Sequence, residues 1–257
     1  MNLRHQTILI TGGTSGLGYE FAVQLLALGN TVLLTGRDPG RLAQVQQQLP
    51  GVHTFQSDVS DLAAIARLYE QVTAQFPKLS VLINNAGQMR KLDLQADVQL
   101  LPDLTLELDV NLAGPMHMVQ QFLPHLLRQP AAAILNVTSG LALTPYPLAP
   151  VYSASKAGLR AYTKTLRVQL HETKVQVFEL VAPAAKTPLS DTFAGDVSEK
   201  DLMAPRPLIA QTIKAMQANQ WEVYPGMAAM MRLLSRLAPG FLLRQLSKGV
   251  RESLARG

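Results

Sequence analysis

A glycine-rich stretch near the N-terminus constrains the fold of this chain more than any other sequence feature. It covers residues 11–18, TGGTSGLG, and it lies between an apolar run and a helical pattern of apolar residues. Strand, tight turn and helix are therefore predicted in that order. Glycines allow the backbone to approach a ligand, and the free N–H groups of a helix start favour an anion. The stretch indicates a phosphate-binding turn, although an ordinary glycine-rich turn would look the same in isolation.

Strands and helices are predicted to alternate along most of the chain. Further strands are indicated by apolar runs at residues 31–35, 52–56, 80–83, 133–137 and 175–181, with a short one near 222–224. Strands joined through helices pair in parallel, so we predict an α/β fold, a single-domain doubly wound sheet of about seven strands. Ligands bind such sheets beyond the carboxyl ends of the strands, where Gly12, Arg37, Asp58 and Asn85 are expected.

The longest predicted helix, over residues 103–128, contains Gly114 and Pro115. Because proline has no N–H, it leaves the carbonyl four residues earlier, that of Asn111, without its helical donor. That carbonyl could bind a water molecule, or the pair could simply kink the helix. Both interpretations can hold together.

Composition limits the chemistry that is available to the chain. It has 257 residues, of which 47% are hydrophobic, enough to bury the core of one domain. The absence of cysteine excludes disulfides, thiolate catalysis and cysteine-ligated metals, and we predict no metal site. The first strand begins almost at once, which leaves no room for a cleavable secretory segment. We expect a cytoplasmic protein.

The net charge of +5 is concentrated in the C-terminal tail. Residues 223–257 contain Arg232, Arg236, Arg244, Lys248, Arg251 and Arg256, against the single acid Glu252. The remainder is balanced, so the basic character does not indicate a nucleic-acid-binding core. We divide the chain into a dinucleotide-binding catalytic domain, 1–225, and a basic amphipathic helical extension, 226–257.

Tyr152 and Lys156 are four residues apart and should lie on one face of a helix. A tyrosine pKa of about 10 is too high for proton exchange near neutrality, and a nearby ammonium lowers that pKa. Ser139, after the neighbouring strand, can offer its hydroxyl to the same substrate oxygen. Such a group suits carbonyl reduction. A Tyr-x-x-x-Lys pair is nevertheless common on helix surfaces and carries little weight alone.

Taken together, the motifs resemble those of the classical short-chain dehydrogenases/reductases. The shared motifs are Thr11-Gly12-x-x-x-Gly16-x-Gly18, Asp58, Asn84-Asn85-Ala86-Gly87, Asn111, Ser139 and Tyr152-x-x-x-Lys156. The resemblance extends from residue 6 to about residue 225, and it favours a bacterial branch whose members are described only as oxidoreductases. It implies a one-domain Rossmann fold, NAD(P)(H) chemistry and a homodimer or homotetramer.

The resemblance also implies a role for individual residues. Tyr152 would be the catalytic acid/base, Ser139 would polarise the substrate carbonyl, and Lys156 would bind the nicotinamide ribose and lower the Tyr152 pKa. Asn111 would complete the catalytic group by holding a water in a proton relay. The implied cofactor-binding residues are Gly12, Thr14, Ser15, Gly16, Leu17, Gly18, Arg37, Asp58, Val59, Asn85, Ala86, Gly87, Tyr152, Lys156, Pro183 and Thr187.

One segment departs from the family pattern. The usual Pro-Gly-x-Val-x-Thr is replaced by APAAKT at residues 182–187. Thr187 is retained, whereas Pro183 takes the glycine position and Ala185 the valine position. Because this segment normally flanks the nicotinamide carboxamide, its contacts with the cofactor are left open.

The end of the second strand bears on the choice of cofactor. NAD-specific sites usually have a carboxylate there, whereas this chain has Arg37, which suits a 2′-phosphate. We predict that NADP(H) is preferred, with NAD(H) possible because Asp38 is one residue away. The substrate walls are expected at 88–90, 141–148 and 187–207, and they suggest an apolar small molecule. Arg90 and Lys91 could instead meet an acidic group.

We therefore predict an NADP(H)-dependent oxidoreductase that interconverts a carbonyl and an alcohol, with Tyr152 as acid/base. The alternative from another class is a catalytically idle NADP(H)-sensing Rossmann protein that acts through protein contacts. An extended-family epimerase or dehydratase would need a substrate domain, for which too little chain follows residue 187. The basic tail could rest on an anionic membrane or close over a lipid-like substrate from an adjacent bilayer, but helices packed on the domain or on another subunit are the preferred interpretation.

Overall fold

The computed structural model of the chain describes residues 1–94, 101–193 and 198–254. Its centre is a seven-stranded sheet with the order β3-β2-β1-β4-β5-β6-β7, and each pair of neighbouring strands is parallel. The strands are β1 (Thr7–Ile10), β2 (Thr31–Gly36), β3 (Val52–Gln56), β4 (Leu79–Asn84), β5 (Ala132–Ser139), β6 (Val175–Ala182) and β7 (Glu222–Val223). The predicted doubly wound α/β fold is confirmed.

Helices cover both faces of this sheet. They are α1 (Gly16–Ala27), α2 (Pro39–Gln48), α3 (Leu62–Gln75), α4 (Leu101–Leu104), α5 (Leu106–Leu108), α6 (Gly114–Leu126), α7 (Pro150–Gln169), α8 (Pro205–Gln217), α9 (Met227–Leu237) and α10 (Pro239–Leu254). Two apolar clusters separate these layers from the sheet. Ile8 and Ile10 of β1 belong to one cluster and Leu9 to the other, as the two-residue period of a strand requires.

The segment predicted as one long kinked helix is divided into several pieces. The short helices α4 and α5 lead into a π-helical turn, Asp109–Ala113, and α6 begins directly after it. Pro115 therefore lies in the first turn of α6, where a missing N–H has the least effect. The predicted kink is a π turn that contains the fully buried Asn111.

The C-terminal extension forms the two helices α9 and α10. Ala228 of α9 and Leu242 and Val250 of α10 are buried, so one side of the pair packs on the rest of the fold. Within the residues that the structure describes, no helix is both long enough and apolar enough to span a bilayer. Of the tail cations, Arg256 lies outside the described residues, as does the side chain of Arg251.

Candidate active site

A cavity of about 740 Å³ lies beyond the carboxyl ends of the central strands. It gathers most of the residues that were predicted from the sequence. Those in its wall are Gly12, Thr14, Ser15, Gly16, Leu17, Arg37, Asp58, Val59, Asn85, Ala86, Gly87, Ser139, Tyr152, Lys156, Pro183 and Thr187. Gly18 and Asn111 lie behind the wall, so any effect of theirs on a ligand passes through a neighbour.

The glycine-rich turn between β1 and α1 allows close contacts that a side chain would block. Gly12 has a φ of 66°, and a Cβ there would lie 2.7 Å from the Cα of Ala86. A Cβ on Gly18 would lie 2.3 Å from the Gly12 carbonyl oxygen. Ser15 precedes α1 without capping it through its side chain, so the first N–H groups of the helix are open to a ligand. This turn fits the pyrophosphate of a dinucleotide.

Asn85 fixes the turn to the end of β4. Its side-chain amide donates hydrogen bonds to the carbonyls of Thr11 and Gly12, both at 3.0 Å. In return, the Thr11 hydroxyl accepts from the backbone N–H groups of Asn85 and Ala86, also at 3.0 Å. These four hydrogen bonds therefore join the glycine-rich turn after β1 to the segment after β4, and both form part of the cavity wall.

Arg37 stands at the far end of the cavity from Tyr152, after β2. Its guanidinium is 65% exposed, and Nη1 lies 3.9 Å from a carboxylate oxygen of Asp58. Asp38 also lines the cavity, but its Oδ1 accepts from the backbone N–H groups of Gly40 and Arg41 and so caps α2, and its Oδ2 lies 3.6 Å from Arg41 Nε. Arg41 also lines the cavity. Sequence reasoning missed Arg41, although its place four residues after Arg37, in the first turn of α2, was a usable signal.

Tyr152 and Lys156 project from the first turns of α7 into the same cavity. Lys156 Nζ lies 5.8 Å from the Tyr152 ring centroid and donates a 2.9 Å hydrogen bond to the Val137 carbonyl. Burial raises the pKa of Tyr152 to about 12 and lowers the pKa of Lys156 to about 8. The sequence predicted that Lys156 would lower the pKa of Tyr152. In the structure burial is the largest influence, and burial raises the pKa of Tyr152 instead.

Ser139 is the last residue of β5 and faces the Tyr152 hydroxyl. Its Oγ accepts a hydrogen bond from the Leu141 N–H at 3.1 Å, which orients the side chain toward the cavity wall. After burial, the largest influence on the Tyr152 pKa is a hydrogen bond with Ser139, which lowers it. The two hydroxyl groups can therefore meet one substrate oxygen.

Asn111 connects the loop after β4 to α7. Its Oδ1 accepts from the Gln88 N–H at 2.8 Å, while its Nδ2 donates to the Gln88 carbonyl at 2.8 Å and to Ser155 Oγ at 3.1 Å. These bonds give the side chain a positioning role that the sequence did not reveal. The water-relay role stays a prediction.

The substrate end of the cavity has a largely apolar wall. It includes Met89, Leu141, Tyr146, Leu189, Phe193, Leu202, Met227, Met231 and Leu246. Leu148 is buried beneath this wall, packed with Tyr152. Arg90 does not line it, because its Nη2 donates to the Asp103 carbonyl at 2.6 Å and lies 3.5 Å from Glu107 Oε2. Part of the expected wall, residues 194–197, lies outside the described residues.

A buried polar network behind the site also escaped sequence reasoning. Arg160 Nη1 contacts both carboxylate oxygens of Glu179 at 2.8 Å, and Nη2 contacts the Tyr224 hydroxyl at 2.8 Å. Glu179 accepts from the hydroxyl of Thr138, a cavity residue, at 2.7 Å. Arg160 lies one turn beyond Lys156 on α7, and that spacing was the available signal. The network ties α7, β5 and β6 together beneath Tyr152 and Lys156.

Comparison with known proteins agrees with this geometry. A family model described as short chain dehydrogenase matches residues 6–197. The uncharacterized oxidoreductase DltE of Bacillus subtilis is 44% identical over 190 residues, which cover 74% of this chain and 75% of that protein.

Two solved structures are similar over most of the chain. A short chain dehydrogenase from Burkholderia cenocepacia in complex with NADP has a TM-score of 0.83 at 26% identity, covering 96% of this chain and 99% of its own. A 3-ketoacyl-(acyl-carrier-protein) reductase from Brucella melitensis complexed with NADH has a TM-score of 0.78 at 26% identity, covering 86% and 98%. The first structure contains NADP, which carries a phosphate on the adenosine ribose, and the second contains NADH, which lacks that phosphate.

Proposed function

The chain belongs to the short chain dehydrogenase family, and from this premise we propose that it interconverts an apolar carbonyl compound and its alcohol with NADP(H). The observation that carries the proposal is the shared cavity of Ser139, Tyr152 and Lys156 with the glycine-rich turn. The open N–H groups of α1 would hold the cofactor pyrophosphate, and Lys156 would bind the nicotinamide ribose. When bound, the nicotinamide supplies or accepts the hydride at the substrate carbon.

The proton is handled by residues of this chain. In the direction of reduction, the Tyr152 hydroxyl donates its proton to the substrate oxygen while Ser139 donates a hydrogen bond to the same atom. The phenolate left on Tyr152 would be costly in so buried a site. A protonated Lys156 stabilises it from one turn away on α7. In the direction of oxidation, the phenolate accepts the alcohol proton.

The preference for NADP(H) rests on the charges at the end of β2. Arg37 and Arg41 both line that end of the cavity, where the adenosine 2′-phosphate would lie. Asp38 lines the same end, but its Oδ1 caps α2 and its Oδ2 lies 3.6 Å from Arg41 Nε, which leaves the carboxylate poorly suited to hold ribose hydroxyls. Two guanidinium groups favour a phosphate over a free diol.

The substrate is inferred to be uncharged and apolar beyond its reacting carbonyl. The wall around Leu141, Phe193 and Met231 offers large apolar surfaces, and Arg90 is paired outside it. A carboxylate on the substrate would lose its hydration against this apolar wall and would not form an ion pair with Arg90 in return. The alternative, an idle NADP(H)-sensing protein, gives no reason for Ser139, Tyr152 and Lys156 to converge. A homodimer or homotetramer remains a prediction.

The test follows NADPH absorbance in a screen of aliphatic and aromatic aldehydes and ketones. Wild-type protein is compared with Tyr152→Phe and with Tyr162→Phe, a matched change on the same helix but outside the cavity wall. Tyr152→Phe should keep NADPH binding yet lose turnover by at least about a hundredfold, the scale of general acid catalysis. Equal turnover in all three proteins would overturn the role of Tyr152. NADPH binding without turnover of any carbonyl would favour the sensing alternative.

A further inference from the structure

The outward side of α9 and the start of α10 form an exposed apolar ridge, composed of Met227, Met230, Leu233, Leu237 and Phe241. Their exposed fractions are 45%, 50%, 58%, 74% and 47% respectively. Along α9 they recur at intervals of three and four residues, which places them on one side of the helix. Single exposed apolar residues are ordinary, but a contiguous group of this size marks an interaction surface.

Cations flank the ridge residues along the same two helices: Arg236 adjoins Leu237, and Arg244 and Lys248 follow Phe241 at intervals of three and four residues, which places them on one side of α10. Arg232, Arg236, Arg244 and Lys248 are exposed. Arg232 stacks its guanidinium on the Tyr224 ring at 4.5 Å, and neither Arg236 nor Arg244 forms an ion pair with any carboxylate in the described ranges. The tail sequence contains one acid, Glu252, against these cations. The surface therefore combines apolar area with an uncompensated positive charge.

The inner side of the same helices is already packed, so the ridge is not an unused packing face of the domain. The Sδ of Met231 would lie 3.0 Å from a Cβ added to Gly140, which shows how closely α9 approaches the catalytic strand end. Leu242 and Val250 fix α10 in the same way. Within one chain, packing covers the inner half of the tail's apolar residues, and the expected packing on another subunit stays a prediction.

We propose that the apolar ridge docks on the surface of an anionic lipid bilayer. Its apolar side chains would enter the boundary between headgroups and acyl chains, and the bordering cations would lie over lipid phosphates. A second copy of the chain is a poorer occupant. A two-fold contact through this ridge would bring the cationic border of one copy against that of the other.

The ridge lies beside the cavity, so docking on a bilayer would place the cavity entrance next to the membrane. Met227 belongs both to the exposed ridge and to the cavity wall, while Met231 and Leu246 line the cavity from the inner sides of α9 and α10. The cavity rim and the docking surface therefore share a residue. An apolar molecule dissolved in the bilayer would reach the cavity along this rim without crossing water.

The test is vesicle sedimentation of the full-length protein. Phosphatidylglycerol-containing vesicles are compared with pure phosphatidylcholine vesicles at low and high salt. The docked protein should pellet with the anionic vesicles and be released by salt. Leu233→Ser/Leu237→Ser should abolish pelleting, and Arg236→Gln/Arg244→Gln should weaken the partition coefficient about thirtyfold, since each surface cation contributes about a fivefold factor. Circular dichroism checks that the variants stay folded.

Matched controls separate the ridge from general changes in charge or hydropathy. Leu62→Ser removes an exposed leucine on α3, and Lys174→Gln/Lys214→Gln removes two exposed cations distant in sequence from the ridge. Both control proteins should pellet like wild type. Wild-type protein that stays in the supernatant at low salt would overturn the proposal, as would equal pelleting with both vesicle types. Loss of a dimer in Leu233→Ser/Leu237→Ser, measured by light scattering, would assign the ridge to contacts between copies instead.

Discussion

The Nζ of Lys156 lies 5.8 Å from the centroid of the Tyr152 ring, and both side chains are buried. Burial favours the uncharged form of each group, so it opposes the ammonium and the phenolate alike. The proposed catalysis needs both charged forms together, because the ammonium stabilises the phenolate. At neutral pH the buried ammonium of Lys156 reduces the stability of the fold, whereas Tyr152 is uncharged.

The first prediction concerns stability and follows from the lysine. Burial lowers the pKa of Lys156 from 10.5 to about 8. Between these values the unfolded chain binds more protons at this site than the folded protein, so the lysine's unfavourable contribution to stability shrinks as pH rises. Below about pH 8 the cost of burying the ammonium is fully present. Lys156→Met should therefore be more stable than wild type at neutral pH, although its turnover should fall sharply.

Urea unfolding of wild type and Lys156→Met across this range measures the effect. The stability advantage of the variant should decrease as pH rises from about 8 towards 10.5. Comparing the two proteins at each pH cancels the titration of every group that they share. Lys164→Met, an exposed change on the same helix, is the control and should show no such trend. A difference that does not vary with pH would contradict the lowered pKa.

The second prediction concerns cofactor choice. Arg37→Gln should weaken NADPH binding by about 1.5–3 kcal/mol, the range for hydrogen bonds to charged groups. The exposure of this guanidinium, 65%, favours the lower end, about tenfold in Kd. NADH binding should change little, because the adenosine ribose of NADH has no 2′-phosphate to meet the arginine. Fluorescence titration of both cofactors measures the two constants.

Arg67→Gln is the matched control for that experiment. Arg67 is similarly exposed, 64%, and pairs with Asp61 at 3.8 Å, as Arg37 pairs with Asp58 at 3.9 Å, but it does not line the cavity. Its loss should leave both cofactors unaffected. If Arg37→Gln weakens NADPH and NADH equally, or if wild type prefers NADH, Arg37 does not recognise a 2′-phosphate.

The third prediction separates two roles of Asn111. Asn111→Ala would leave the Gln88 N–H and carbonyl without their side-chain partner and release Ser155 from the π turn. An unsatisfied buried group costs about 1–3 kcal/mol, and here the Ser155 bond is buried while the two Gln88 bonds are part-buried. A positioning role therefore predicts a clear loss of stability together with lower turnover. Denaturant unfolding and steady-state kinetics measure both quantities.

Asn136→Ala provides the comparison. Asn136 is also fully buried and bonds Asn84 and Thr163. The Asn136→Ala variant should lose about as much stability as Asn111→Ala. Its turnover should fall less, because neither Asn84 nor Thr163 lines the cavity. If Asn111→Ala lowers turnover while its stability stays at the wild-type level, the positioning role is wrong and the water relay gains support.

Sequence reasoning succeeded where local chemistry determines structure. The glycine-rich turn is recognisable because Gly12 and Gly18 meet neighbouring backbone that no side chain could approach, and the alternation of strand and helix determines the parallel sheet. The direction of the Tyr152 pKa could not be predicted, because it depends on burial by distant segments. A tail that closes over a substrate is one of the interpretations that the sequence allows, but the sequence does not show which tail residues line the cavity; Met231 and Leu246 do so from the far end of the chain.

The last prediction addresses those two residues. Met231→Gln and Leu246→Gln would each place an amide in an apolar part of the cavity wall, where an apolar substrate leaves it without a hydrogen-bond partner. Each change should raise KM for a long-chain aldehyde about tenfold or more, consistent with about 1–3 kcal/mol for such a group. KM for a short aldehyde and kcat for both should change much less, since the reacting groups lie on β5 and α7. Met116→Gln, on α6 and outside the cavity wall, is the control. Unchanged KM values across a homologous series of aldehydes would exclude α9 and α10 from substrate binding, whatever the outcome for the proposed function.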